Sequence, residues 1–143
     1  MPKVLSSLGL KVSPLTFSHD DAPPADDQDF DVEFTVMSYD VGVEKPERRI
    51  FEAAEQLLMR LPAAVHTERG AWEKVYVGDE YDKDVVGAMD ASWHSVLLSG
   101  QPPADLLQLD GRESGALLEA LRSKQTNATC SSFDVLAIGL GLR

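Results

Sequence analysis

The residues whose types and spacing could do chemistry are two aspartates in the stretch VYVGDEYDKDVVGA. Asp79 directly follows a short apolar run, and Asp84 comes five positions later, in the first turn of a helical segment. Two carboxylates facing one another across such a loop suit Mg2+, which takes one or two carboxylates and keeps several waters. Glu80 and Asp82 lie in the same loop and are open to a direct, a supporting or a merely exposed role. The plainer alternative is structural: Asp82 or Asp84 caps the helix and complements its dipole, while Asp79 is a turn residue. Spacing alone leaves both readings open. Lys45, in GVEKPERRI, stands just before a second helix, where its ammonium could hold a phosphate and a neighbouring carboxylate as a point charge. A solvated surface lysine is the alternative there.

Other candidates are weaker. Asp29-Phe30-Asp31 has the D-x-D form of a phosphotransfer nucleophile, but PPADDQ precedes it where a buried strand would be needed, so it reads as a solvated charge run. His19, His66 and His94 are scattered without metal-ligand spacing and have no cysteine partner, which argues against zinc. His94, inside a strand-like run, reads as a packed or edge histidine. Cys130, beside serines in a polar segment, has no neighbour that would activate it. No G-x-S-x-G, P-loop or G-x-G-x-x-G occurs.

The elements that must position these residues alternate. Val4, Leu5 and Leu8 share a helical face that ends at Gly9, in a helix beginning at residue 1 or 2. Residues 19–33 hold seven acids and two prolines with almost no apolar periodicity, which predicts a solvated loop outside the core. Phe34–Ser38 is a strand candidate that leads through the loop YDVGVE to Pro46 in the first turn of a helix. That helix is the strongest in the chain: Ile50, Phe51, Ala54, Leu57, Leu58 and Leu61 fall on one face, and Pro62 ends it. Lys74–Gly78 reads as a second strand, VVGAMDA as a helix, and Trp93–Leu98 as a third strand.

Strand, helix, strand, helix, strand predicts an α/β fold with a parallel, Rossmann-like sheet covered by helices, whose ligand crevice lies at the carboxyl ends of the strands. Beyond Pro103 a short helix is expected around Gly115–Ser123. The apolar tail DVLAIGLGL is open to being an edge strand, a helix or a loosely anchored end. The expected organisation is therefore a core over residues 1–104, with 19–33 as an insertion, and a C-terminal helix and tail over 105–143.

The 143 residues suffice for one domain. The 24 acids against 13 bases give a formal charge of -11, and the densest basic spot is only Lys45, Arg48 and Arg49. Such a surface repels nucleic acid and anionic bilayers while welcoming a divalent cation. No apolar run approaches the ~20 residues that span a bilayer. The N-terminal MPKVLSSLGL is too weak for a secretory signal, and a single cysteine suits a reducing compartment. The expected location is intracellular, in the cytoplasm, with the nucleus left open.

SYDVGVEKPERRIFEAAEQLL followed by KVYVGDEYDKDVVGAMDASWHSVLL resembles the C-terminal half of the haloacid dehalogenase superfamily core, nearest to its hydrolase domain-containing protein 3 group. The resemblance covers residues 34–98. LSSLGLKVSP, residues 5–14, is in addition similar to the helix after the family's second motif. Two spacings carry the resemblance together, G-x-x-K-P-x-x-x-I-F and V-G-D-x-x-x-x-D-x-x-G-A. It implies a Rossmann-like core and Mg2+-dependent hydrolysis of a small phosphorylated metabolite through an aspartyl-phosphate. It further implies that Lys45 is the third-motif lysine, which steadies the nucleophile and the phosphoryl group. Asp79 and Asp84 are then the fourth-motif acids, Asp79 the more direct Mg2+ ligand and Asp84 its support. The first-motif D-x-D with its strand, the second-motif Ser or Thr and the cap do not appear in the sequence. The expectation is a phosphohydrolase fragment that is inactive as written or, alternatively, a non-catalytic binding or regulatory remnant.

Overall fold

The computed structural model describes residues 2–17, 29–61, 64 and 72–141. The chain divides into two units, Met1–Ala71 and Trp72–Arg143.

In the first unit, helix α1 spans Pro2–Ser7 and is followed by Gly9 at φ 87°, the left-handed conformation expected of a glycine that stops a helix. The apolar face anticipated for it does not find cover within this unit: Val4 and Leu8 are exposed. Phe34–Ser38 is not a full strand. Thr35 pairs with Thr16, and Val32 with Val12, as isolated parallel bridges. Three residues (13–15) separate the bridged positions on one segment and two (33–34) on the other, so the register slips between the bridges and no continuous ladder forms. Ser38 instead opens a single helical turn, α2 (Ser38–Val41), closed by Gly42 at φ 84°. The segment read as the loop YDVGVE thus carries helix in its first half.

Pro46 precedes the next helix instead of lying in its first turn. The Lys45–Pro46 peptide is cis, and α3 runs Arg48–Leu58 with Glu47 at its N-cap. Its buried side chains are Phe51, Ala53 and Leu57, so Ala53 takes the core position expected of Ala54. Leu57 and Leu61 join Leu15, with Phe17, Phe34, Val36 and Leu58 packed around them. The expected solvated loop at 19–33 falls on residues outside the described set as far as 28. Its last part is tied down, because the Asp31 carboxylate accepts the Lys11 N–H at 2.8 Å. Pro62, His19 and His66 also lie outside the described residues.

The second unit is a four-stranded, all-parallel sheet with flanking helices, a partial α/β Rossmann-like architecture. In chain order it comprises β1 (Val75–Gly78), a π-helical turn (Tyr81–Val85), α4 (Val86–Asp90), β2 (His94–Leu98), β3 (Leu107–Gln108), α5 (Ala116–Ser123), β4 (Asn127–Cys130) and α6 (Phe133–Gly139). The strand order is β1-β2-β4-β3. Val96 stands beside Val77 on one side and Ala128 on the other. These residues share a face with Cys130 that packs on Leu117 and Leu121 of α5 and Leu136 of α6. The opposite face presents Leu97 to Val85 of the π-helical turn and to Leu106.

Two readings change here. The segment around Cys130, read as polar, is the inner strand β4, in which Ala128, Thr129 and Cys130 are all buried. The undecided tail is helix α6, started by the Ser132 side chain accepting the Val135 N–H at 3.3 Å. Among the described residues no helix is long and apolar enough to cross a membrane.

Candidate functional site

Because all four strands run parallel, their carboxyl ends share one edge of the sheet, the side on which ligand crevices form in open α/β sheets. Asp79 follows β1 there, Ser99 follows β2, Asp110 comes shortly after β3 and Ser131 follows β4. Asp79 is exposed, and its carboxylate has no hydrogen-bond or ion-pair partner among the described residues. The neighbouring Glu80 carboxylate pairs with Lys83 at 3.3 Å, an exposed ion pair of small energetic weight.

Asp84 behaves differently. It sits in the π-helical turn at 2 % exposure. Its Oδ2 accepts the Glu80 N–H at 2.9 Å, and its own N–H donates to the Glu80 carbonyl at 2.8 Å. The first of these is one half of a capping box, a side chain reaching back to the otherwise unsatisfied amide of the N-cap residue, and the second is an ordinary backbone bond of the turn. The wider π turn moves that role one position along the chain, from the third helical residue to the fourth. Capping was the structural alternative for Asp84, and the carboxylate performs it. Asp82 is exposed and makes no cap hydrogen bond.

Lys45 belongs to the first unit, half-buried in the turn before α3. Asp79, directly after β1, and Asp84, in the π-helical turn, both lie in the second unit.

The donor set there fits Mg2+ in kind: hard carboxylate oxygens, one of them, on Asp79, exposed at a strand end. It does not form a closed cage. Among the described residues no group of three or more His, Cys, Asp or Glu is arranged to hold a metal ion.

Sequence reasoning passed over Asp110 and Ser131 at the same edge. The Asp110 carboxylate accepts the Ser131 N–H at 3.0 Å and its hydroxyl at 2.5 Å, tying the end of β3 to the end of β4. With β4 read as a polar segment, no signal placed Ser131 at a strand end. Next to it the Cys130 thiol is pushed up from its ordinary range chiefly by burial, against an opposing backbone hydrogen bond at Ser132 and with a smaller push from the Asp110 charge. A thiol so held stays protonated and unreactive at neutral pH.

His94 lies at the opposite, amino end of β2. Its Nδ1 accepts the Thr126 N–H at 3.0 Å, which leaves the proton on Nε2 to be donated to Glu73 at 2.7 Å. It is a packed histidine joining the starts of β1, β2 and β4.

A model of the HAD-hydrolase-like family matches residues 43–123, more than half of the chain. The chain belongs to this haloacid dehalogenase-like hydrolase family. No curated protein and no solved structure matches it. The family match takes in Lys45, α3, β1 with Asp79, the π-helical turn with Asp84, and the chain as far as the end of α5. The inner strand β4 and α6, which complete the sheet and cover it, lie beyond the matched region of this HAD-like chain.

Proposed function

We propose that this chain carries the metal- and phosphoryl-binding part of a haloacid dehalogenase-like phosphohydrolase, of the hydrolase domain-containing protein 3 group, and performs no turnover by itself. The observation that carries the reading is Asp79, exposed at the carboxyl end of a parallel strand and followed by the braced Asp84 turn inside the family-matched region. Asp79 would hold Mg2+ with Asp84 in support, and Lys45 would neutralise the phosphoryl group of a small phosphorylated metabolite. When bound, the metal supplies charge stabilisation for phosphoryl oxygens. Hydrolysis through an aspartyl-phosphate also needs a nucleophile in line with the phosphorus. Asp31, in the D-x-D at 29–31, has its carboxylate engaged by the Lys11 amide at 2.8 Å. The net charge of -11 argues against polyanionic partners, and a protonated, buried thiol suits a reducing, intracellular setting.

The test pairs calorimetric Mg2+ titration with hydrolysis of a generic aryl phosphate, for the wild type and Asp79→Asn. The expected result is Mg2+ binding that Asp79→Asn weakens at least ~10-fold, the scale of a lost ligand or its support, with no turnover. Absence of Mg2+ binding would overturn the metal assignment. Turnover abolished by Asp79→Asn would show an active hydrolase and remove the alternative of a non-catalytic binding or regulatory remnant.

A further inference from the structure

Gly78 ends β1, in register with Leu97. Glycine within a strand is unfavourable, since it packs no side chain and loses the most backbone freedom on folding. The usual compensation is a positive φ. Gly78 has none, unlike Gly9, Gly42, Gly111, Gly115 and Gly141. Its reason is space: a Cβ built at this position would land on the Asp84 carboxylate, and the three nearest atoms all belong to that one side chain. The gap left by the missing side chain is therefore filled by a buried carboxylate, which in turn holds the Glu80 amide. Asp79 lies between the two clamped residues.

We propose that Gly78 and Asp84 are a positioning pair: the glycine gap admits the Asp84 carboxylate, and its hold on the Glu80 amide fixes the direction in which Asp79 leaves the sheet. Asp84 thus acts through the turn, and its part in metal binding is to aim Asp79. The metal half of this inference rests on the Mg2+ reading above; the steric half does not.

The experiment is a double-mutant cycle of Gly78→Ala, Asp84→Ala and the two combined, with Asp84→Asn as the conservative variant. Three quantities are read on the full chain: the urea midpoint, Mg2+ affinity by calorimetry, and hydrogen exchange at the Glu80 amide. Gly78→Ala should lower the urea midpoint and weaken Mg2+ by about 10-fold or more with both acids intact, the loss seen when the support of a metal ligand is removed. In the Asp84→Ala background the same change should alter affinity less than ~2-fold and cost little stability, because the obstructing side chain is gone; contacting residues are non-additive in this way. Asp84→Asn keeps an oxygen for the Glu80 N–H, so it should retain Mg2+ affinity within about 3-fold and retain protection at that amide, whereas Asp84→Ala loses both.

Additive effects of Gly78→Ala and Asp84→Ala, or unchanged protection at Glu80 in Asp84→Ala, would overturn the pair. An Asp84→Asn variant that loses Mg2+ as fully as Asp79→Asn would make Asp84 a direct ligand and overturn the positioning role. If the wild type binds no Mg2+, the functional reading fails, and the urea cycle and the exchange data still decide the pair. If Gly78→Ala does not fold, the exchange comparison of Asp84→Ala with Asp84→Asn decides it.

Discussion

The two units of this chain solve the same problem with different means. Met1–Ala71 builds its core on α3, with Leu15, Leu57 and Leu61 buried together, while among its described residues the extended segments meet at isolated bridges. Trp72–Arg143 builds on a continuous parallel ladder and covers both faces of the sheet, one with α5 and α6 and the other with the turn around Val85. The difference shows in what each can hold still. A ladder fixes the height and facing of every residue at its carboxyl edge, so Asp79, Asp110 and Ser131 are presented from a rigid frame. Lys45 lies in a turn of the first unit, between the Gly42 cap and α3, and not on a ladder. Each unit buries polar groups of both kinds, bonded and unbonded; in the first, the buried Ser13 hydroxyl accepts the Leu15 N–H at 3.2 Å. In the second, His94 and Thr129 are buried and bonded, Thr129 through its hydroxyl to the Leu97 carbonyl at 2.8 Å. In the first, the Thr35 hydroxyl is buried with no hydrogen-bond partner, as is the Trp72 indole N–H at the start of the second.

The largest effect that would sharpen this contrast is in the core. Leu117→Ala, at a fully buried position shared by α5, α6 and the sheet, should cost ~2–5 kcal/mol, and Leu57→Ala, in the smaller leucine cluster, the lower end of that range. Urea unfolding by far-ultraviolet circular dichroism measures both. A Leu57→Ala cost above that of Leu117→Ala would break the comparison.

Smaller is the contrast in polar satisfaction. His94→Leu removes the acceptor of the buried Thr126 N–H and should cost about 1–3 kcal/mol, while Thr35→Val removes a hydroxyl that has no partner and should be neutral or mildly stabilising. Thermal melts of the two variants check it. A destabilised Thr35→Val would mean that the hydroxyl is satisfied after all.

Smallest is the effect of pH on the thiol. Burial raises the Cys130 pKa in the folded state above its unfolded value, so the folded state retains a proton that the unfolded state loses. Stability from this group is complete below the ordinary thiol range near ~8.5 and declines as pH climbs from there through the folded value. Comparing the urea midpoint of the wild type and Cys130→Ala between neutral and alkaline pH isolates the slope; equal slopes would contradict it.

Elements with a strong period were legible before any coordinates. The face of α3, the glycine- and proline-bounded runs that became β1 and β2, and the parallel α/β class follow from local pattern, because side-chain periodicity and turn chemistry act within a few residues. β4 was not legible. Asn127, Ala128, Thr129 and Cys130 are small or polar, and they suit an inner strand only because Leu97, Leu109 and Leu117 close around them. Phe34–Ser38 erred the other way: its residues favour a strand, but a strand needs a partner in constant register, and the register slips by one residue between the two bridges.

For the site, the residues by themselves determined that Asp79 follows a strand, that Asp84 stands five positions later, and that Lys45 precedes a helix. Only the tertiary structure decided that the two acids differ in kind. Asp79 is exposed at a strand end, whereas Asp84 is turned inward, filling the space beside Gly78 and bonding the Glu80 amide. Spacing cannot tell these apart, because the difference depends on one extra residue in a π-helical turn and on a missing Cβ three residues before the turn begins, a fit between atoms that local propensity does not encode.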